Sequence, residues 1–180
     1  CLSRGLGDVY KRQEITMVKC IVEINSSTVG STGRIMFMIA ETARKHGFTV
    51  YTCSAVHGNE KRIESKNHIY IGSKLDKKIH LLLAKKTGYN GCFSHFTTAQ
   101  FLKKIDKLQP DLIHFHNLHN CYINLPMLFD YVKKKNIPVV WTLHDCWAYT
   151  GHCPYYDFVH CNKWMTGCYD CPQTAKYPYS

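Results

Sequence analysis

Val18-Lys19-Cys20-Ile21-Val22-Glu23-Ile24-Asn25-Ser26-Ser27 runs through Thr28-Val29 into Gly30-Ser31-Thr32-Gly33-Arg34, and this stretch decides the fold. Val18 to Ile24 is short and rich in β-branched residues, and it ends in Asn25-Ser26-Ser27, so it reads as a strand followed by a loop. Gly30 to Gly33 is a glycine-rich turn. From Arg34 to Lys45 the apolar residues Ile35, Met38, Ile39 and Ala43 recur at helical spacing. Gly47 stands where a helix-terminating glycine is expected. Phe48 to Cys53 is a second strand. Strand, glycine loop, helix and strand in that order open a βαβ fold.

Working outward, His68 to Ile71 reads as a short strand, and Lys77 to Lys86 and Thr97 to Leu108 as helices. Pro110-Asp111 restarts a strand over Leu112 to Phe115. Tyr122 to Lys135 is helical, with Pro126 in the first turn, where its missing N–H costs nothing. Ile137 to Leu143 is a β-branched strand. Strands alternating with helices predict an α/β fold, a Rossmann-like doubly wound parallel sheet with helices on both faces. That domain is expected over residues 17–145. Residues 146–180 form a Cys- and aromatic-rich segment without helical or strand period, and the chain is expected to stop short of a further domain. Residues 1–16 read as a non-native extension. Asp8-Val9-Tyr10-Lys11-Arg12-Gln13 back-translates to GATGTGTATAAGAGACAG, which resembles a transposon end used in sequencing libraries, and the native chain is expected to begin near Met17.

The 180 residues fit one domain, and with 45% hydrophobic and 20% charged residues the composition is globular, which excludes a disordered chain. The apolar runs are strand-sized, far short of the ~20 residues of a membrane span. No apolar signal region follows the basic N-terminus. The net charge of +10 suits nucleic acid, an anionic membrane surface or a phosphorylated substrate. Lys133-Lys134-Lys135 reads as a solvated helix end. Ten cysteines without a secretory signal point to a reducing compartment, where clustered thiols are metal ligands before disulfides.

The polar signals follow predicted strands. In open parallel sheets, ligands bind at the carboxyl ends of strands near the topological switch point. Gly30, Ser31, Thr32 and Gly33 open a helix whose N–H groups and dipole suit phosphate; the plainer alternative is a tight turn capped by Thr32. The turn is neither a P-loop nor a GxGxxG dinucleotide fingerprint. His114-Phe115-His116-Asn117-Leu118-His119 resembles in spacing the HxHxDH of metallo-hydrolases, but Leu118 takes the place of the Asp, so structural or substrate-facing histidines are the better reading. His144-Asp145 ends the last strand, where a His can hydrogen-bond a sugar hydroxyl or a developing charge, or simply cap a loop. Cys153-x7-Cys161-x6-Cys168-x2-Cys171 has the donors for a structural tetrahedral zinc that would pin an irregular loop; buried thiols or disulfides are the alternative.

Ile24-Asn25-Ser26, Gly30 to Arg34, Pro110 to His119 and Thr142-Leu143-His144-Asp145-Cys146-Trp147 resemble the N-terminal half of family 4 glycosyltransferases. The tail, Thr150-Gly151-His152-Cys153 through Gly167-Cys168-Tyr169-Asp170-Cys171-Pro172-Gln173, is similar to the subgroup that makes exopolysaccharides of the colanic acid type. The resemblance implies a GT-B architecture, in which two Rossmann-like domains face each other and sugar is transferred with retention. It implies that this chain is the acceptor side and lacks the donor-binding domain, so that alone it is inactive. By position, Gly30 to Gly33 would meet the donor diphosphate and His144 the donor sugar, with Asp145 supporting its loop. His116, Asn117 and His119 would border the acceptor.

The resemblance further implies a nucleotide-sugar donor, a lipid-linked or saccharide acceptor, no cofactor needed for catalysis, and a cytoplasmic place at the inner face of the membrane, with peripheral contact to anionic lipid. The rival reading is a zinc-stabilised basic module for nucleic acid or protein. Beyond residue 135 the only basic residues are Lys163 and Lys176, which argues against nucleic acid as partner.

Overall fold

The computed structural model describes residues 19–56 and 63–173. The extension expected over residues 1–16 lies outside them. The elements run β1 (Cys20–Asn25), α1 (Gly30–Lys45), β2 (Thr49–Ala55), β3 (His68–Ile71), α2 (Lys74–Thr87), α3 (His95–Leu108), β4 (Leu112–Phe115), α4 (Leu125–Lys135), β5 (Val139–Trp141) and α5 (Trp147–Thr150). All five strands are parallel, in the order β3-β2-β1-β4-β5. The chain winds from β1 outward through β2 to β3, then returns to the other side of β1 for β4 and β5. The switch point therefore lies between β1 and β4.

Strand alternation separates two cores. On one face Val22, Ile24, Cys53, Ile113 and Phe115 pack against Phe101, Ile105 and Leu128 of α3 and α4. On the other, Ile21 and Val50 meet Ala40 of α1. Full burial of each large apolar side chain contributes about 1.5–3 kcal/mol, so the first face supplies most of the cohesion. Glu23 shares the α1 face with Ile21 and is 1% exposed.

Capping explains where helix boundaries differ from the sequence reading. α2 starts three residues early because the Ser73 Oγ accepts from the Asp76 N–H at 3.1 Å. It ends at Gly88, with φ +76°. α4 starts late: the Asn124 Oδ1 accepts from the Met127 N–H at 3.0 Å, leaving Tyr122 and Ile123 in the preceding loop, both buried. α1 begins at Gly30, not Arg34, and Val29 rather than Thr32 holds the capping position, without a side-chain cap.

Among the described residues after Asp145, the regular structure is α5 and two 3-10 turns at Tyr156–Val159 and Lys163–Met165. Aromatic rings hold this segment: Trp164 lies 5.4 Å from Tyr149 and 5.1 Å from Tyr156 between ring centroids. Among the described residues no helix is long and apolar enough to cross a membrane.

Candidate active site at the strand switch point

The site is built from β1 outward. Glu23 stands in register with His114 on the neighbouring β4. Alternation puts His116 on the same face two residues on. The Glu23 Oε2 lies 2.9 Å from the His114 Nδ1 and 2.8 Å from the His116 Nε2. The far nitrogen of each imidazole is also engaged: the His114 Nε2 is 2.8 Å from the Thr142 Oγ1, and the His116 Nδ1 is 2.9 Å from the His144 Nε2. The His116 and His144 rings stack, 5.2 Å apart and 17° from parallel. Burial pushes the Glu23 carboxyl up, but the His114 and His116 hydrogen bonds outweigh it and hold the group below its usual range. Burial above all pushes the His144 imidazole below its ordinary value, against the pull of Asp145.

Glu23, His114 and His116 also bring three potential ligand atoms within 4.8 Å of one another. Their mutual hydrogen bonds already satisfy these atoms. Leu118, at the Asp position of the metallo-hydrolase pattern, is 2% exposed in the apolar core and offers no donor.

A second imidazole–carboxylate pair closes the neighbouring loop. The His119 Nε2–H donates to the Asp145 Oδ2 at 2.9 Å, and the Trp147 N–H donates to the Asp145 Oδ1 at 3.0 Å. Burial raises the Asp145 carboxyl, and these two bonds bring it below its ordinary value. Both oxygens are occupied, so Asp145 pins the start of α5. A small cleft of about 10 Å³ opens here, lined among others by His119, Trp141, His144, Asp145 and Trp147. The Trp141 Nε1–H donates to the His116 carbonyl at 2.9 Å and fixes one wall.

Asn25, wholly buried, joins the glycine turn to the β4 loop. Its Nδ2 donates to the Ser27 carbonyl at 3.0 Å and to the Thr32 Oγ1 at 3.3 Å, while its Oδ1 accepts the Asn117 N–H at 3.2 Å. The turn, His116 and His144 thus share one sheet edge, as expected. The two glycines differ. Gly30 has φ +75° and open space where a Cβ would stand, with no acidic residue in the first helical turn. Gly33 is buried, and the space of its missing side chain is filled by the chain's own Thr28. His116 lies wholly beneath His144, whereas Asn117 is half-buried.

Of the tail cysteines, Cys153 is buried, Cys161 and Cys171 are half-buried and Cys168 is exposed. Cys161 and Cys171, with Cys146, lie near enough to Cys153 to raise its thiol further, after burial itself. The Gln173 N–H donates to the Cys171 Sγ at 3.4 Å.

Residues 32–169 match the model of glycosyltransferase family 4. The chain belongs to that family. It is also 42% identical over 74 residues to WcaC of Escherichia coli strain K12, a protein named as a colanic acid biosynthesis glycosyl transferase. That match takes in 38% of this chain and 18% of the relative, so the chain spans only a small part of the protein it resembles. Membership in a glycosyltransferase family replaces the alternative of a basic zinc-stabilised module. In this family 4 chain His116, His119, His144, Cys153, Cys161 and Cys168 fall inside the matched stretch, Cys171 lies just beyond it, and Glu23 and Asn25 precede it. Glu23 is the functional candidate that sequence reasoning passed over. Its signal was a lone carboxylate in the otherwise apolar Cys20-Ile21-Val22-Glu23-Ile24.

Proposed function

We propose that this chain forms the acceptor-side half of a retaining, GT-B type sugar transferase of surface polysaccharide synthesis, moving a hexosyl group from a nucleotide-sugar to a lipid-linked or saccharide acceptor. The observation that carries this reading is the convergence of the glycine turn, the His116–His144 stack and the aromatic cleft at one switch point. Ligands of doubly wound sheets bind at that place, and it is built from chain segments far apart in sequence.

In this reading the exposed N–H groups at Gly30, Ser31 and Thr32 meet the donor diphosphate, helped by the positive end of the α1 dipole. Gly33 serves by letting Thr28 pass close behind. His144 meets the reacting sugar, and its neutral imidazole exchanges hydrogen bonds with hydroxyls or with charge that develops as the glycosidic bond to phosphate breaks. Asp145 and His119 hold the loop that presents it. Asn117 and the ring edges of Trp141 and Trp147 offer the acceptor side a polar group and apolar faces for a sugar ring. The net charge of +10 suits a phosphorylated donor, a lipid-phosphate acceptor and peripheral contact with the inner face of the membrane. A zinc held by Cys153, Cys161, Cys168 and Cys171 would be structural and outside the chemistry.

The test is transfer of radiolabelled sugar from a panel of nucleotide sugars to lipid-linked acceptors by the complete enzyme and by its His144→Ala variant. The 180-residue chain, tested beside them, is expected to be inert, because one side of a two-sided cleft cannot hold donor and acceptor in register. Robust transfer by this chain, or an unaffected variant, would refute the division of labour.

A further inference from the structure

We infer that Glu23, acting through His116, sets which ring nitrogen of His144 carries the proton, so that His144 offers a bare Nδ1 as a hydrogen-bond acceptor. This deepens the reading of His144 as the sugar-facing group and rests on it for the identity of the ligand.

An ionised carboxylate only accepts. The Glu23 Oε2 therefore receives N–H groups from both the His114 Nδ1 and the His116 Nε2, at 2.9 and 2.8 Å. One buried carboxylate balances one imidazolium, and a second cation beside it would be buried unmatched. Of the two imidazoles His116 is the costlier place for a positive charge, because its side chain is fully buried whereas that of His114 is 9% exposed and has the Thr142 Oγ1 as a further partner, 2.8 Å from its Nε2. His116 stays neutral, with its proton on Nε2 and a lone pair on Nδ1. The atom 2.9 Å from that lone pair is the His144 Nε2, which must then be the donor. His144 is left with its lone pair on Nδ1.

The other ionisable groups around His144 do not compete for this role. Asp145 has both oxygens engaged, by His119 and by the Trp147 N–H. Glu23 and His114 are linked to His144 by hydrogen bonds that run through His116. His116 and His144 both line the cleft, and the half-buried His144 is the more exposed of the two. An acceptor nitrogen there suits a hydroxyl donor, the defining group of a sugar. Glu23 and His116 are positioning residues, and their effect is carried by an imidazole tautomer.

The experiment is nitrogen-15 NMR of the histidine-labelled 180-residue chain near neutral pH, where bare and protonated ring nitrogens are well separated. His144 should appear as a single tautomer protonated at Nε2. Glu23→Leu removes the acceptor and should give a mixture of tautomers. Glu23→Gln, which can place its amide oxygen at the Oε2 position, should restore the single tautomer. His116→Leu cuts the relay while leaving Glu23 and His114 paired, and should also give a mixture, so the test survives if Glu23→Leu fails to fold. A wild-type His144 that is mixed or protonated at Nδ1 overturns the inference, as does a folded Glu23→Leu or His116→Leu variant with an unchanged His144. None of these readouts needs sugar transfer, so failure of the relay and failure of the proposed function are told apart.

Discussion

Gly33 and Thr28 pack so closely that a Cβ on Gly33 would stand 2.5 Å from the Thr28 carbonyl carbon and 2.6 Å from its oxygen. The obstacle is backbone, which cannot swing aside as a side-chain tip can. Gly33→Ala should therefore destabilise the chain by about 1–3 kcal/mol, the usual range for overpacking, and tilt α1 away from the β1 loop. Gly30→Ala meets no atom but must hold φ +75°, which costs an L-residue about 1–2 kcal/mol. Urea melts of the two variants check this. If Gly33→Ala is neutral, the close approach is wrong.

His144→Ala in the complete enzyme should lower kcat by about 10²-fold or more, the lower bound for a group that acts on proton positions in the transition state. KM for the acceptor should move much less, because the proposed contact is with the reacting sugar. Steady-state kinetics at saturating donor measures both. A change in KM alone would make His144 a binding group only.

Acid should unfold the chain in two stages. Burial pushes His68 and His80 down to about 4, for His80 against a partial pull from Asp76. Their unfolded values are about 6.5, so the unfolded state takes up protons first. Stability is then full above about pH 6.5 and falls as the pH drops toward 4. Glu23 and Asp145 lie below their ordinary values. Their contribution is present above the ordinary carboxylate range, and it disappears only as the pH falls through their lower folded values. Circular dichroism melts from pH 8 to 3 should show both stages, and His80→Gln should flatten the upper one.

Protein purified under reducing conditions should hold about one zinc per chain if four thiolates close a tetrahedral site. Cys168→Ser should lose the metal, although Cys168 is the exposed member, and Cys146→Ser should keep it. Metal content by mass spectrometry decides it. Metal-free protein, or full retention in Cys168→Ser, would refute the four-cysteine set.

The parallel sheet was legible because Ile21 to Ile24 and Leu112 to Phe115 are β-rich runs bounded by turn residues, and because polar groups gathered after strands. That pattern placed the glycine turn, His116 and His144 on one edge without coordinates. The helix starts at Ser73 and Asn124 were hidden in caps, where one side-chain oxygen outweighs apolar spacing. Glu23 was missed for a related reason. A carboxylate within a strand carries no periodic signal, and its meaning depends on which strand becomes its neighbour. The short β5 was also overdrawn: Val139 and Val140 are exposed, and pairing stops at Trp141.

The order in which the sheet is completed gives Glu23 a consequence for folding. β1 and β2 are neighbours in sequence and can pair early, but His116 is 93 residues from Glu23. Until β4 docks, any collapsed intermediate that buries β1 also buries a carboxylate with no imidazole to answer it, at a cost of several kcal/mol. Glu23 therefore works against premature collapse of the first half of the sheet. It turns favourable only when β4 arrives, so the same contact that organises the site also acts as a checkpoint on the topology.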